Sequence, residues 1–414
     1  MRQETAKEFS ESKNEILNLP ASSQMRNKVP EITIFFWIIK ILCTTVGETA
    51  SDFLNVNLGF GLTGTAIAAG ILLAIILFLQ FRAKKYIPAL YWSTVVLISI
   101  FGTLVTDIMT DSIGVPLEIS TVGFSIALMI TFAVWYVNEK TLSMHSINTR
   151  KREAFYWLAI LFTFALGTAS GDLMAESLGL GYLVTGLIVL AVVVLTVIAW
   201  RMGLDSVLGF WIVYIMTRPL GASLGDYLTQ PPKYSGLGLG ATITTAVFLA
   251  AILLTVVFLS VTKIDLHPNK PAVQQVKHTS RNTALLQTAV VIVVIALAGG
   301  VGYYFRHSQI VNDAAMSSVT TSTTNVVGDY QSFVQIEQKA LDFVKAGDFK
   351  SAKTSADDLE YTWDQAAATL RAVDAKKWDS VDQSIDEVLR QLRAVNPDES
   401  NSIASLETSI TAMQ

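Results

Sequence analysis

The segment WIVYIMTRPLGASLGD (211–226) sets an arginine, Arg218, and an aspartate, Asp226, in one of the most apolar parts of the chain. Three other stretches align with it without a gap: WIIKILCTTVGETASD (37–52), WSTVVLISIFGTLVTD (92–107) and WLAILFTFALGTASGD (157–172). Each reads W-x9-G-x4-D. Three copies continue to a glycine seven residues past the aspartate, at Gly59, Gly114 and Gly179, while the fourth inserts QPPKYSG before LGLG. The tryptophans recur at intervals of 54 to 65 residues, room for two membrane-crossing helices per unit. An even number of spans leaves every unit pointing the same way, so the repeats are parallel, not inverted.

The rest of the chain agrees with a membrane setting. About half of the 414 residues are apolar and 15% are charged, with a mean hydropathy of +0.47. Apolar runs near 33–50, 59–80, 88–108, 116–137, 154–175, 180–200, 205–227, 239–261 and 284–305 come close to the ~20 residues an α-helix needs to cross ~30 Å of hydrocarbon. The expected fold class is all-α: a polytopic helical bundle of four parallel two-helix repeats, a ninth span and a small extracytoplasmic helical domain. The boundaries are a tail over 1–30, repeats over about 31–83, 86–140, 151–202 and 204–262, a linker over 263–283, a ninth helix over 284–305 and an outer domain over 306–414. Lysine and arginine concentrate in the tail and in the connections around 82–85, 138–153, 200–205 and 262–282. That bias predicts a multi-pass protein of the cell membrane with a cytoplasmic N-terminus and an extracytoplasmic C-terminal domain. Residues 1–30 are polar and read as a tail, not a cleaved signal. The lone Cys43 lies inside the first span, where a buried small residue is expected.

The four gapless copies resemble a bacterial family of integral membrane proteins built from four tandem repeats of unknown function, each with two transmembrane segments and a characteristic tryptophan. The matching tryptophans are Trp37, Trp92, Trp157 and Trp211. The resemblance covers about residues 31–262 and implies the architecture alone.

Trp37, Trp92, Trp157 and Trp211 start the odd spans, where an indole suits the headgroup boundary and would serve as an interface anchor. Gly47, Gly102, Gly167 and Gly221 are expected to pack the repeats closely, as glycine does in membrane helices. Fifteen residues from each tryptophan, at 1.5 Å per residue, Asp52, Asp107, Asp172 and Asp226 lie ~22 Å along the helix, in the far third of the hydrocarbon. Glu48, Asp111, Glu118 and Glu176 join them, several one helical turn from a repeat aspartate. A charge in hydrocarbon costs at least ~2.5–3.5 kcal/mol. These carboxylates therefore face a polar interior, carry protons, meet cations, or cap the outer helix ends. Arg218 supplies charge compensation, with Asp226, two turns along its own helix, as the first partner expected and Asp172 and Asp107 next.

Carboxylates with the hydroxyls Thr45, Ser51, Thr103, Thr106 and Thr168 make hard oxygen ligands for Mg²⁺, Mn²⁺, Ca²⁺, Na⁺ or protons, with a metal possible at Asp52, Asp107, Asp172 and Asp226. No H-E-x-x-H, G-x-S-x-G or P-loop stands in its required context, so no catalytic set and no cofactor is expected. The basic loops are accounted for by topology, and no nucleic-acid partner is implied. Expected partners are the lipid bilayer and a small cation or proton. Beyond Ser308 the chain holds 17 acidic against 9 basic residues, and Trp378, Val381, Ile385, Val388 and Leu392 recur at helical spacing, which predicts a helical bundle. Two functions fit best, transport of a small hard cation by the repeat carboxylates or reception of a signal by the outer domain and its passage through the ninth span, with a structural or assembly role as the third. Loss of residues 284–414 would spare the first and abolish the second.

Overall fold

The computed structural model describes residues 27–57, 60–229, 236–266, 281–320, 330–394 and 396–414. The N-terminal tail to residue 26, Gly59, most of the fourth-repeat insertion, residues 267–280 of the linker and most of the Ser/Thr-rich stretch 317–325 lie outside the described residues, as does the side chain of Asp111. The membrane part consists of helices α1 (Ile34–Asp52), α2 (Gly61–Arg82), α3 (Pro88–Asp107), α4 (Leu117–Glu139), α5 (Arg150–Asp172), α6 (Tyr182–Arg201), α7 (Ser206–Thr229) and α8 (Gly240–Thr262). A further helix, α9, spans Arg281–Thr320. All nine are long and apolar enough to cross a membrane. Their starts follow local chemistry: the Thr33 and Thr149 hydroxyls cap α1 and α5, and Pro88 occupies the first turn of α3, where a missing N–H costs nothing.

The odd helices form the core. Each of α1, α3, α5 and α7 packs against its two neighbours in a closed ring, α7 returning to α1. The even helices lie outside with most of their surface uncovered, as lipid-facing helices must. Each outer helix packs chiefly on the inner helix of the following repeat: α2 on α3, α4 on α5, α6 on α7, and α8 back on α1.

Glycine sets the ring spacing. A Cβ on Gly47 would meet Ser99 Oγ at 1.8 Å, one on Gly102 would meet Phe164 Cβ at 2.9 Å, one on Gly167 would meet Arg218 Cγ at 2.4 Å, and one on Gly221 would meet Thr44 Oγ1 at 2.0 Å. Thr44, Ser99, Phe164 and Arg218 each stand three residues before the repeat glycine of their own helix. One contact is thus used at all four interfaces, closing the backbones to a distance only glycine permits.

At one end of the ring lies an aromatic layer. Phe36, Tyr91, Tyr156 and Phe210, each just before a repeat tryptophan, are buried, and the Tyr91 and Tyr156 hydroxyls share a hydrogen bond of 2.6 Å. Trp92, Trp157 and Trp211 are buried among them, and the Trp211 indole donates to the Leu142 carbonyl at 3.0 Å. The tryptophans expected as lipid-boundary anchors are therefore mostly enclosed between helices, because the inward face carries both the indole and the ring before it.

The helix α9 runs 40 residues in one piece, so the chain stays helical beyond 305, where a boundary was expected. It touches the ring's flank at both ends: Gln287 exchanges hydrogen bonds with Gly203 and Asp205, and Arg306 donates to the carbonyls of Leu178 and Gly179. The C-terminal domain is a closed four-helix bundle of α10 (Gln331–Lys345), α11 (Phe349–Val373), α12 (Ala375–Arg393) and α13 (Glu399–Met413). Its core includes Phe333, Leu359, Trp363, Val381, Ile385, Val388, Leu392 and Leu406, which covers most of the periodic positions read from the sequence; Trp378 packs at its edge, stacked on Trp363 at 5.8 Å.

Candidate cation site at the aspartate end of the ring

Arg218 is fully buried at the centre of the four inner helices. Its Nε donates to Thr168 Oγ1 at 3.0 Å, Nη1 to the Thr44 carbonyl at 2.8 Å, and Nη2 to Glu48 Oε2 at 2.5 Å, Thr168 Oγ1 at 2.8 Å and Thr103 Oγ1. Glu48, Thr103 and Thr168 all stand one residue after the repeat glycine. The fourth residue at that register is Ala222, on the helix of Arg218 itself, so one guanidinium is held by all three other repeats. The Thr103 and Thr168 hydroxyls pass their own protons back to the carbonyls of Ser99 and Phe164. They can therefore accept from Arg218 without losing a donor role.

The charge partner of Arg218 is Glu48, not Asp226, which was the first expectation. Two turns along one helix is a separation of ~12 Å, whereas the ring brings Glu48 directly across the α1–α7 interface. That interface is tightened twice: Gly221 sits against Thr44, and Gly225 would place a Cβ 3.1 Å from Thr49 Cγ2. Gly221 and Gly225 form a G-x3-G pair, a close-packing signal written in the sequence itself.

One step further along the ring, a carboxylate oxygen from each of Glu48, Asp52 and Asp226 falls within 4.8 Å of the others. Glu48 and Asp52 are one turn apart on α1, and close packing delivers Asp226 from α7. Asp172 and Glu176 lie within electrostatic range of Asp226, and Glu176 accepts a 2.8 Å hydrogen bond from Tyr182. Asp107 is half-buried at the matching position of α3 and stands outside the close triad. Glu118 lies apart, at the start of α4, where the Tyr303 hydroxyl of α9 donates to it at 3.4 Å.

After Asp52, Asp107 and Asp172 the helix widens at once into a π-helical turn, over Phe53–Asn57, Ile108–Ser112 and Leu173–Ser177. Such turns loosen the regular hydrogen-bond ladder and often occur beside functional sites. The C-terminal bundle packs on these turns, α12 on the first two and α11 on the third, with Arg371 Nη1 donating to Ser177 Oγ at 3.4 Å. Glu360 and Arg393 come within electrostatic range of Asp52, and Asp382 and Arg371 within that of Glu176. Arg393 is itself held by Asp357 and Glu360 at 2.6–3.1 Å. None of these domain contacts had a signal in the sequence.

Toward the aromatic end, Lys40 is a second buried cation that sequence reasoning passed over. Its Nζ lies 3.7 Å from the Phe164 ring centre and 4.2 Å from that of Tyr214, and it has no hydrogen-bond partner among the described residues.

The four repeat units match the family described as a Repeat of Unknown Function (DUF347) at residues 35–86, 90–141, 155–202 and 209–265. The chain belongs to the DUF347 family. The four matches fall on the four inner–outer helix pairs, so the DUF347 unit is one hairpin of the ring, and α9 and the C-terminal bundle lie beyond it. No curated protein and no solved structure matches the chain.

Proposed function

We propose that this DUF347 protein moves a small hard cation across the cell membrane, with Glu48, Asp52 and Asp226 as the binding triad and Arg218 as a fixed charge behind it. The convergence of three carboxylates from two repeats beside a buried guanidinium carries this reading. When ionised, the triad holds three negative charges, of which Arg218 offsets one. The remaining two suit a divalent ion, and all-oxygen ligation favours Mg²⁺ or Mn²⁺ over soft metals. Protons are the natural coupling species, since carboxylates without a metal can take them up. Asp107, Asp172 and Glu176 line the approach. The basic loops support a cytoplasmic tryptophan end and an outer C-terminal bundle for this reading.

Ion flux into proteoliposomes across a panel of Mg²⁺, Mn²⁺, Ca²⁺ and Na⁺ tests the reading. Asp52→Asn and Asp226→Asn should each abolish flux of the accepted ion while the protein still elutes as a single folded species. Normal flux with all four repeat aspartates neutralised would leave them as helix caps and overturn it. The receptor reading draws support from the docking of the C-terminal bundle on the π-helical turns, which offers a more direct route to the triad than the peripheral α9. Deleting residues 281–414 separates the two: a transporter keeps or raises its flux as the cover is lost, and a receptor loses its response.

A further inference from the structure

At the tryptophan end of the ring, away from the carboxylates, a cleft of about 420 Å³ is lined by Phe78, Phe81, Arg82 and Arg150. Arg82 ends α2 and Arg150 begins α5. Both arginines are exposed and neither has an ion pair among the described residues. Arg82 lies over the Phe78 ring at 5.5 Å, a cation–π contact between two of the lining residues. Behind the cleft a buried network fixes the same two elements. Lys28 Nζ donates to Glu153 Oε2 at 2.6 Å and to the Phe81 carbonyl at 3.2 Å, while Gln80 donates to Glu153 Oε1 at 3.2 Å. These bonds tie together the helix ends that carry the cleft's lining residues.

We propose that this cleft binds one anionic phospholipid, its phosphate bridged by Arg82 and Arg150 and an acyl chain laid along α2. The chain has a track: Ile67, Ile71, Ile75 and Phe78, at intervals of four, four and three residues, form an exposed apolar stripe that leads up to Arg82. Two guanidinium groups can each make paired hydrogen bonds to phosphate oxygens. The N-terminal end of the α5 dipole adds a favourable field for an anion. Lys84 and Lys85 follow within three residues and extend the positive field over the headgroup. Basic clefts between helices at a membrane surface hold anionic headgroups in this manner. The bound lipid joins α2 to α5 from the membrane side, as Glu153 joins them from within. This assignment is independent of what the carboxylate triad does.

Native mass spectrometry of the full chain in mild detergent tests it, with phosphatidylglycerol, phosphatidylcholine and inorganic phosphate as the three probes. Phosphatidylglycerol should be retained as a single adduct, phosphatidylcholine should not, and millimolar inorganic phosphate should fail to displace the lipid. Arg82→Gln and Arg150→Gln should each weaken retention by about five-fold or more. Arg201→Gln, at the same end of α6 but outside the cleft, should leave it unchanged. On the unmodified protein, a phosphatidylglycerol carrying a photoreactive acyl chain should crosslink to the peptide holding Phe78 and Phe81, a result that needs no variant to fold. Equal weakening by Arg201→Gln, unchanged retention in both cleft variants, displacement by inorganic phosphate, or crosslinking spread evenly over the outer helices would each overturn the proposal.

Discussion

Replacing Arg218 with glutamine tests the central charge arrangement, and the structure fixes where the cost falls. The Thr103 and Thr168 hydroxyls keep their bonds to their own helices, so the orphaned group is the Glu48 carboxylate. Removing one member of a buried pair costs ~3–5 kcal/mol. Glu48 is 13% exposed, so some water can reach it, and the lower end, about 3 kcal/mol, applies. Glu48→Gln alone leaves the guanidinium with neutral acceptors only and should cost a similar ~3 kcal/mol. With both changed, neither charge remains to be stranded, and the total should stay near the cost of one. A coupling of ~2–3 kcal/mol is then expected, at the upper end for residues in contact. Reversible unfolding in mixed detergent and dodecyl sulfate, followed by tryptophan fluorescence, measures it on the full chain. Asp107→Asn is the reference partner and should add to Arg218→Gln within ~0.5 kcal/mol. Strict additivity of Arg218 with Glu48, or a larger coupling with Asp226, would refute the arrangement.

Gly167→Ala should destabilise the ring by about 3 kcal/mol in the same assay, because the new methyl lands 2.4 Å from Arg218 Cγ and the guanidinium is tied to three helices. Gly123→Ala, with nothing within 4 Å, should be neutral or slightly stabilising. In the C-terminal bundle, burial pushes the Glu337 carboxyl up to about 8, while Ser409 donates to it at 2.7 Å. The folded state thus holds a proton that the unfolded chain releases from pH ~4.5 upward, so stability falls between pH ~4.5 and ~8 by roughly 5 kcal/mol. Glu337→Gln should remove that slope, gaining protection of α10 and α13 in hydrogen exchange at pH 9 and little at pH 4; an equal effect at both would show that burial of the charge is not the cause.

Much of the fold was legible because membrane helices announce themselves by length and because a gapless W-x9-G-x4-D register repeated four times leaves one arrangement of like-oriented hairpins. The glycines were readable for the same reason: a small residue fixed in register marks a close approach. What the register could not give was which helices meet. Asp226 looked nearest to Arg218 along one helix, yet Glu48 is nearer across the ring, and only the closure of α7 on α1 decides it. The triad of Glu48, Asp52 and Asp226 breaks the fourfold pattern because copies two and three carry threonine where copy one has glutamate, a difference visible in the sequence but without meaning until the axis is known. Lys40 was hidden by its apolar surroundings. The docking of the C-terminal bundle on the π-helical turns had no local signal, since it depends on surfaces that no periodicity describes.

The displacement of each outer helix onto the next repeat bears on how the chain is made. A hairpin leaving the ribosome cannot complete itself: its second helix finds its main contact only when the following unit arrives. The first inner helix waits longest, because its flank is covered by α8, the last of the eight to be synthesised. Until α7 arrives, Glu48 and Lys40 stand in a half-built interior without Arg218 or the Tyr214 ring, both of which come from that helix of the fourth unit. Assembly is therefore committed late, and a nascent chain arrested before α7 exposes polar groups in lipid, the kind of defect that membrane quality control recognises and removes.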